Sequence, residues 1–367
     1  MGIYIVSFLL NMLLGRFILG NKPSEASSAS KIVYLVFTVI YFGLLCGFRD
    51  LTVGWDTITY LEEFSVRLPG NLWELKNYTG RLEPGFVFFS FIVKSFGGEY
   101  QQFLIASSLF TMGSACLFIY RHSTNVLLSV FILLCFPYYY SSFDIIRHFM
   151  ATSFILLGYK YVVNRSLIKY SLFVLLAFWF QKSSIVFILL YVIPNIRYNK
   201  KTLTFSFLFT AIAYFSFDII ANSSLFSFLG YNMSTYEGWF DSDAGGVKTA
   251  FMYLMVFIIG YFAYKNLRIK TSVEETGLVY VLILFLFSIV FIKNRMIIRF
   301  IMSFIALLSI YMPMLLDKRK AKSKQKATSL IKLFVLIGLA YHAFMLLTSW
   351  QKVVPYIPYW ESAIPGY

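Results

Sequence analysis

The stretch Ile32-Val-Tyr-Leu-Val-Phe-Thr-Val-Ile-Tyr-Phe-Gly-Leu-Leu-Cys-Gly-Phe48 carries no charge, and Arg49-Asp50 follow it at once, with Asp56 six residues further on. An uninterrupted apolar run of this length is enough for a helix to cross a bilayer. The charges at its end are harder to account for. A chain that avoids charge so thoroughly needs a reason to place an arginine and two aspartates where a membrane helix meets water.

The avoidance runs through the whole chain. Of its residues 59% are hydrophobic, 20% aromatic and 13% charged, against roughly 25% charged in soluble domains. The sequence therefore reads as an integral membrane protein, all α-helical and polytopic. Its 41 Phe and 27 Tyr suit a lipid-facing surface with aromatic belts at both interfaces. The net charge of +15 is spread over short loops between apolar segments, so loop bias explains it and no nucleic-acid partner is expected. Cys46, Cys116 and Cys135 lie in apolar runs without the paired spacing of disulfides or metal knuckles. The beginning of the chain lacks a basic stretch and a small-residue cleavage site, and reads as a retained first helix.

Ten segments are apolar enough to serve as spans, near residues 2–19, 32–48, 101–119, 125–140, 148–163, 203–221, 248–264, 277–292, 297–316 and 329–348. Residues 86–96 are too short to cross, and 170–193 are interrupted by Gln181-Lys182-Ser183-Ser184, so each reads as a half-helix. Short loops rich in Lys and Arg stay in the cytoplasm. With Lys318-Arg-Lys-Ala-Lys-Ser-Lys-Gln-Lys326 as anchor and 170–193 re-entrant, most basic residues fall inside and most acids outside. Both termini, the segment 49–100 and the loop 222–247 then face out, in one transmembrane domain spanning 1–367.

Loop bias leaves a few cations at the outer membrane edge. Arg49 ends a span, Arg147 opens the helix after Ser141-Ser-Phe-Asp144, and Arg295 lies in Lys293-Asn-Arg-Met296, with Arg299 one turn later. Guanidinium groups suit phosphate or carboxylate, and Asp144 as an N-cap would put Arg147 in a first turn whose free N–H groups favour an anion. The competing structural reading pairs Arg49 with Asp50 and Arg147 with Asp144 at the interface. Asp56, in Val-Gly-Trp-Asp-Thr, and Glu83, in Arg-Leu-Glu-Pro-Gly-Phe, are candidates for a general base, or else a turn acid and a helix cap. Asp241-Ser-Asp243 copies a metal-binding pattern of sugar transferases but sits in an ordinary turn sequence, and His122, His148 and His342 lack ligand spacing, so no metal is expected.

These residues resemble a known family. Gly-Phe-Arg49, Val-Gly-x-Asp56-x-x-x-Tyr60, Glu83-Pro-Gly-Phe86, Ile-Arg147, Asn-Arg295 and Pro358-Tyr359 look like the EpsG branch of Wzy-type O-antigen and capsule polymerases, over residues from about 34 to the end. The resemblance implies a GT-C-like membrane architecture and a glycosyltransferase at the outer face of the bacterial inner membrane. It would move a growing glycan from undecaprenyl pyrophosphate to the non-reducing end of a lipid-linked repeat unit. No cofactor is expected, and the implied partners are the lipid-linked donor and acceptor, membrane lipid and a chain-length regulator protein. Arg147 and Arg295, with Asp56 or Glu83, are then the catalytic candidates. Arg49, Tyr60, His148, Arg299 and Gln181 are the binding candidates. The chain departs from the family where it has Arg147-His148 in place of Arg-Gln, and Phe180-Gln181-Lys-Ser183 in place of Phe-His-x-Ser. A histidine's role as base or ligand is therefore not carried over to Gln181. An O-antigen ligase and a lipid-linked oligosaccharide flippase are the alternatives.

Overall fold

The structure, a computed structural model, describes residues 1–68, 71, 73–74, 78–224, 228, 246–290, 292 and 298–362. Among them there is no β-strand, only two isolated bridges, Arg49 with Pro358 and Leu267 with Ala321. The helices are α1 (Gly2–Leu19), α2 (Ser28–Gly47), α3 (Thr57–Glu62), α4 (Pro84–Ser95), α5 (Tyr100–His122), α6 (Val126–Cys135), α7 (Tyr138–Ser141), α8 (Ile146–Val163) and α9 (Leu167–Phe180). After them come α10 (Lys200–Phe215), α11 (Phe217–Ala221), α12 (Gly246–Lys265), α13 (Ser272–Val290), α14 (Ile298–Leu315) and α15 (Lys324–Leu347).

Six of these, α1, α2, α5, α12, α13 and α15, are long and apolar enough to cross a membrane. At 1.5 Å per residue their 18 to 24 residues reach roughly 27–36 Å, the thickness of a hydrocarbon core. The protein is thus polytopic and all-helical, but several expected spans are shorter or more polar than the sequence suggests. The run 125–140 breaks after Cys135, because Phe136 is extended (φ −101°, ψ 167°), the backbone that a residue before proline favours. Residues 203–221 divide into α10 and α11, and 148–163 form the more polar α8. The 12 residues of α4 are too few to span. Residues 170–193 separate at Gln181, which is extended (φ −155°, ψ 112°), into α9 and a 3₁₀ helix, Lys182–Tyr191.

The chain forms two compact units. The first comprises residues 1–121, 137–187 and 343–367. In it α8 and α9 make a close hairpin about the turn at Arg165 (φ 53°), and α4 packs on α9. Gly85 permits that approach, since a Cβ there would lie 2.8 Å from the Trp179 carbonyl oxygen. Between α1 and α2 the membrane interior carries a satisfied polar cluster. Tyr34 donates to Asn11 (2.8 Å) and Asn11 donates to Thr38 (3.0 Å), the kind of interhelical bond used where apolar contact has no water to exclude.

The second unit comprises 122–136 and 188–342. Here α13 packs on α12 and α14, with Tyr280 stacked on Tyr311 at 4.7 Å. The loop after α12 pairs with the basic loop before α15, through Arg268 N–H to the Lys320 carbonyl (2.9 Å) and Lys322 N–H to the Asn266 carbonyl (2.7 Å). Ion pairs Lys320–Glu274 (2.6 Å) and Arg319–Asp317 (2.7 Å) sit beside that seam.

Candidate functional site

The loop that follows α2 is built around Arg49. Its side chain is fully buried, at 0% exposure. Nη1 donates to the Cys46 carbonyl (2.7 Å) and Nη2 to the Phe143 carbonyl (2.8 Å), and the guanidinium lies 5.4 Å from the Phe143 ring centre. Arg49 therefore ties the end of α2 to the approach of α8, and its fork is engaged with backbone oxygens inside the protein. It does not pair with Asp50. That carboxylate instead accepts from the Thr52 N–H (2.9 Å) and hydroxyl (2.6 Å). Burial works against ionisation of Asp50, but hydrogen bonds from Ser362 and Thr52 outweigh it and hold the carboxyl below its usual range.

The chain beyond 348 fastens the same loop from outside it. Asp50 N–H donates to the Ile357 carbonyl (2.8 Å), Tyr359 N–H to the Phe48 carbonyl (2.9 Å) and Gly54 N–H to the Lys352 carbonyl (3.2 Å). Gly54 has φ +96°, and a Cβ there would come within 2.9 Å of the Phe143 carbonyl oxygen, so the position requires glycine. Two residues later the Asp56 N–H donates to Asp144 Oδ1 (2.7 Å). This differs from the expected N-cap. Ile145, not Asp144, is the N-cap residue of α8, and the Asp144 carboxylate seats the Asp56 backbone.

With Asp56 placed, α3 starts and delivers Tyr60, which is 4% exposed and packed on Phe86. Arg147, in the first turn of α8, reaches it. Arg147 Nε donates to the Tyr60 hydroxyl (3.4 Å), the guanidinium lies 5.9 Å from the Tyr60 ring centre, and Nη1 makes an ion pair with Glu83 Oε2. Glu83 precedes Pro84 at the start of α4, is 7% exposed, and its other oxygen accepts from the Lys182 N–H (3.3 Å) at the break after α9. Four segments distant in sequence, at residues 56–60, 83, 147 and 182, thus meet around one ion pair between the half-buried Arg147 and the buried Glu83. The pairing of Arg147 is with Glu83, not with Asp144 as the local sequence suggested.

The chain belongs to the EpsG family. The family's profile matches residues 32–359, a span that holds every residue just described except Ser362. Membership marks this EpsG protein as a polysaccharide polymerase of glycosyltransferase type, consistent with its multi-pass helices. Comparison with curated proteins and with solved structures returned no match.

The other candidates sort as follows. His148 is buried beside Phe149, with its ring 6.4 Å from that of Phe187. Gln181 is buried and donates to Ser183 (3.3 Å), one residue from the Lys182 N–H that meets Glu83. Arg295, Asp241 and Asp243 lie outside the described residues, as does the Arg299 side chain. Glu63 is 5% exposed, bonded to the Tyr78 hydroxyl and paired with Arg67 at 2.9 Å. Tyr60, Glu63, Tyr78 and Phe86 line one small recess. A cavity of about 520 Å³ is an apolar groove beside α1 and α2. It shares Phe48 with the loop but none of the residues of the Arg147 cluster.

Proposed function

We propose that this EpsG-family protein polymerises O-antigen or capsular polysaccharide at the periplasmic face of the bacterial inner membrane. It transfers a growing glycan from undecaprenyl pyrophosphate to the non-reducing end of a lipid-linked repeat unit. The observation that carries this reading is the Arg147–Glu83–Tyr60 cluster at the start of α8, in which a half-buried guanidinium meets a buried carboxylate. A guanidinium at a helix N-terminus, where backbone N–H groups also point outward, suits the negative charge that develops on a departing pyrophosphate. Preorganised donors of this kind in a site poor in water contribute roughly 10²- to 10³-fold each to rate.

Glu83, clasping Arg147 and the Lys182 N–H, is assigned to positioning the guanidinium. Asp56 is only half-buried, one turn before Tyr60, and is assigned to the acceptor. Its carboxylate takes the proton from the attacking sugar hydroxyl, the hydroxyl oxygen bonds to the anomeric carbon of the donor, and the bond from that carbon to the pyrophosphate oxygen breaks. The electron pair leaves on the lipid pyrophosphate, held by Arg147 and, in this proposal, by Arg295 and Arg299. His148, Gln181 and Arg49 are assigned to shaping the surrounding wall.

The test is complementation of a deletion strain, with surface glycan run on a gel and protein followed by immunoblot. The wild-type gene restores a ladder, and Arg147→Ala leaves core bearing a single repeat. Arg147→Lys rescues poorly, because an ammonium lacks the planar fork. Wild-type chain length in Arg147→Ala would remove the proposal. Polymer stranded on the lipid carrier in the deletion strain would indicate a ligase, and loss of all outward repeats a flippase.

A further inference from the structure

Trp55 lies between Gly54 and Asp56, with a side chain 59% exposed. The loop cannot tuck it away, because both neighbours are tied down by the bonds from Gly54 N–H to the Lys352 carbonyl and from Asp56 N–H to Asp144. Many large apolar side chains of this chain are exposed; what distinguishes Trp55 is a backbone fixed on both sides and a half-buried carboxylate as its neighbour.

The turn across from it is strained. Ser349, Gln351 and Lys352 have φ of 47°, 56° and 54°, a region that residues with side chains rarely adopt. Such strain persists where its surroundings over-determine it, and it gathers at binding sites. Here the Ser349 hydroxyl bonds both the carbonyl (2.6 Å) and the N–H (3.1 Å) of Val354. Trp350 donates from its indole to Ser141 (3.1 Å), and Tyr4 donates to the Val353 carbonyl (2.9 Å). The product of this arrangement is the Lys352 ammonium, 5.3 Å from the centre of the Trp55 ring. Exposure then falls inward from Trp55 at 59%, through half-buried Asp56, to Tyr60 at 4% and Glu83 at 7%.

We propose that Trp55 is the platform for a pyranose ring of the acceptor glycan, and that Lys352 is the positioning residue that fixes the indole. The proposal rests on the polymerase reading above. A pyranose presents a face of C–H groups while its hydroxyls stay hydrated, which matches an aromatic face as stacked bases do in other proteins. The ammonium takes one face of the indole and leaves the other for sugar. A ring seated there brings its hydroxyls to Asp56, the next residue along the chain. Trp55 thereby selects what approaches the base, and no covalent step occurs at the platform.

The experiment uses the full-length protein reconstituted in vesicles, supplied with the lipid-linked single repeat unit that accumulates in a polymerase-deletion strain. Initial polymerisation rates are measured against its concentration. Trp55→Ala and Trp55→Leu should raise KM about tenfold with kcat changed less than threefold, and Trp55→Phe should stay near wild type. Lys352→Ala should raise KM by a smaller factor, with Lys352→Arg restoring it. Trp55→Leu preserves bulk, so it keeps the comparison available if Trp55→Ala fails to fold. An unchanged KM in Trp55→Leu, a loss confined to kcat, or failure of Phe to substitute would overturn the platform. Arg147→Ala in the same assay separates the two ideas. If it polymerises normally, the reading of the site fails; if it is inactive while Trp55→Ala and Trp55→Leu keep the wild-type KM, only the platform fails.

Discussion

At the scale of single residues, two arginines, each with an aspartate close by in sequence, have different surroundings. Arg49 donates to carbonyl oxygens at 2.7 and 2.8 Å and is closed to solvent, whereas Arg147 faces a carboxylate and a phenol with 21% of its side chain exposed. Arg49→Ala should therefore act on folding, since each buried acceptor left without a donor costs about 1–3 kcal/mol; a lower melting temperature and poor yield are expected. Arg147→Ala strands Glu83 as an uncompensated buried charge and should also destabilise. Adding Glu83→Ala removes that burden, so the double variant should recover much of the melting temperature while polymerisation stays absent. Recovery of both would reduce the pair to a structural ion pair.

At the scale of elements, the loop 48–56 is held by α2, by the approach to α8 and by the chain beyond 348 at once. Its geometry depends on Gly54, and Gly54→Ala forces a Cβ against the Phe143 carbonyl in a backbone region unsuited to it. The expected outcome is loss of polymer with protein still in the membrane, because the displaced loop carries Asp56. Asp50 adds a pH dependence. Its folded value lies below the unfolded one, near 3.9, so its stabilisation is present above that value and is lost as pH falls through the lower folded value. The melting-temperature difference between wild type and Asp50→Asn should accordingly be full at pH 7 and shrink below about pH 4.

At the scale of the molecule, the six long apolar helices and the basic seam between residues 266–268 and 320–323 give a directional expectation. By loop bias, its excess of Lys and Arg predicts a cytoplasmic side for the seam. A fluorescent-protein fusion after residue 322 should glow, and an alkaline phosphatase fusion after residue 79 should be active. The opposite pair of signals would overturn the proposed topology.

The amino-acid sequence by itself determined that this is a polytopic helical membrane protein of the EpsG family. Uninterrupted apolar runs dictate helices in a bilayer whatever they pack against, and the Glu83-Pro84-Gly85 and Val53-Gly54-Trp55-Asp56 motifs are local. It also marked the break at Gln181, whereas the break before Pro137, inside a run read as one span over 125–140, came to light only in the folded chain. The partners of each charge were decided only by tertiary structure. Neighbouring residues suggested Arg49 with Asp50 and Arg147 with Asp144, yet the folded chain pairs Arg147 with Glu83, seats Asp56 on Asp144 and turns Arg49 inward to the Phe143 carbonyl. A buried charge takes the partner that packing brings within reach, and that partner can lie 64 or 94 residues away.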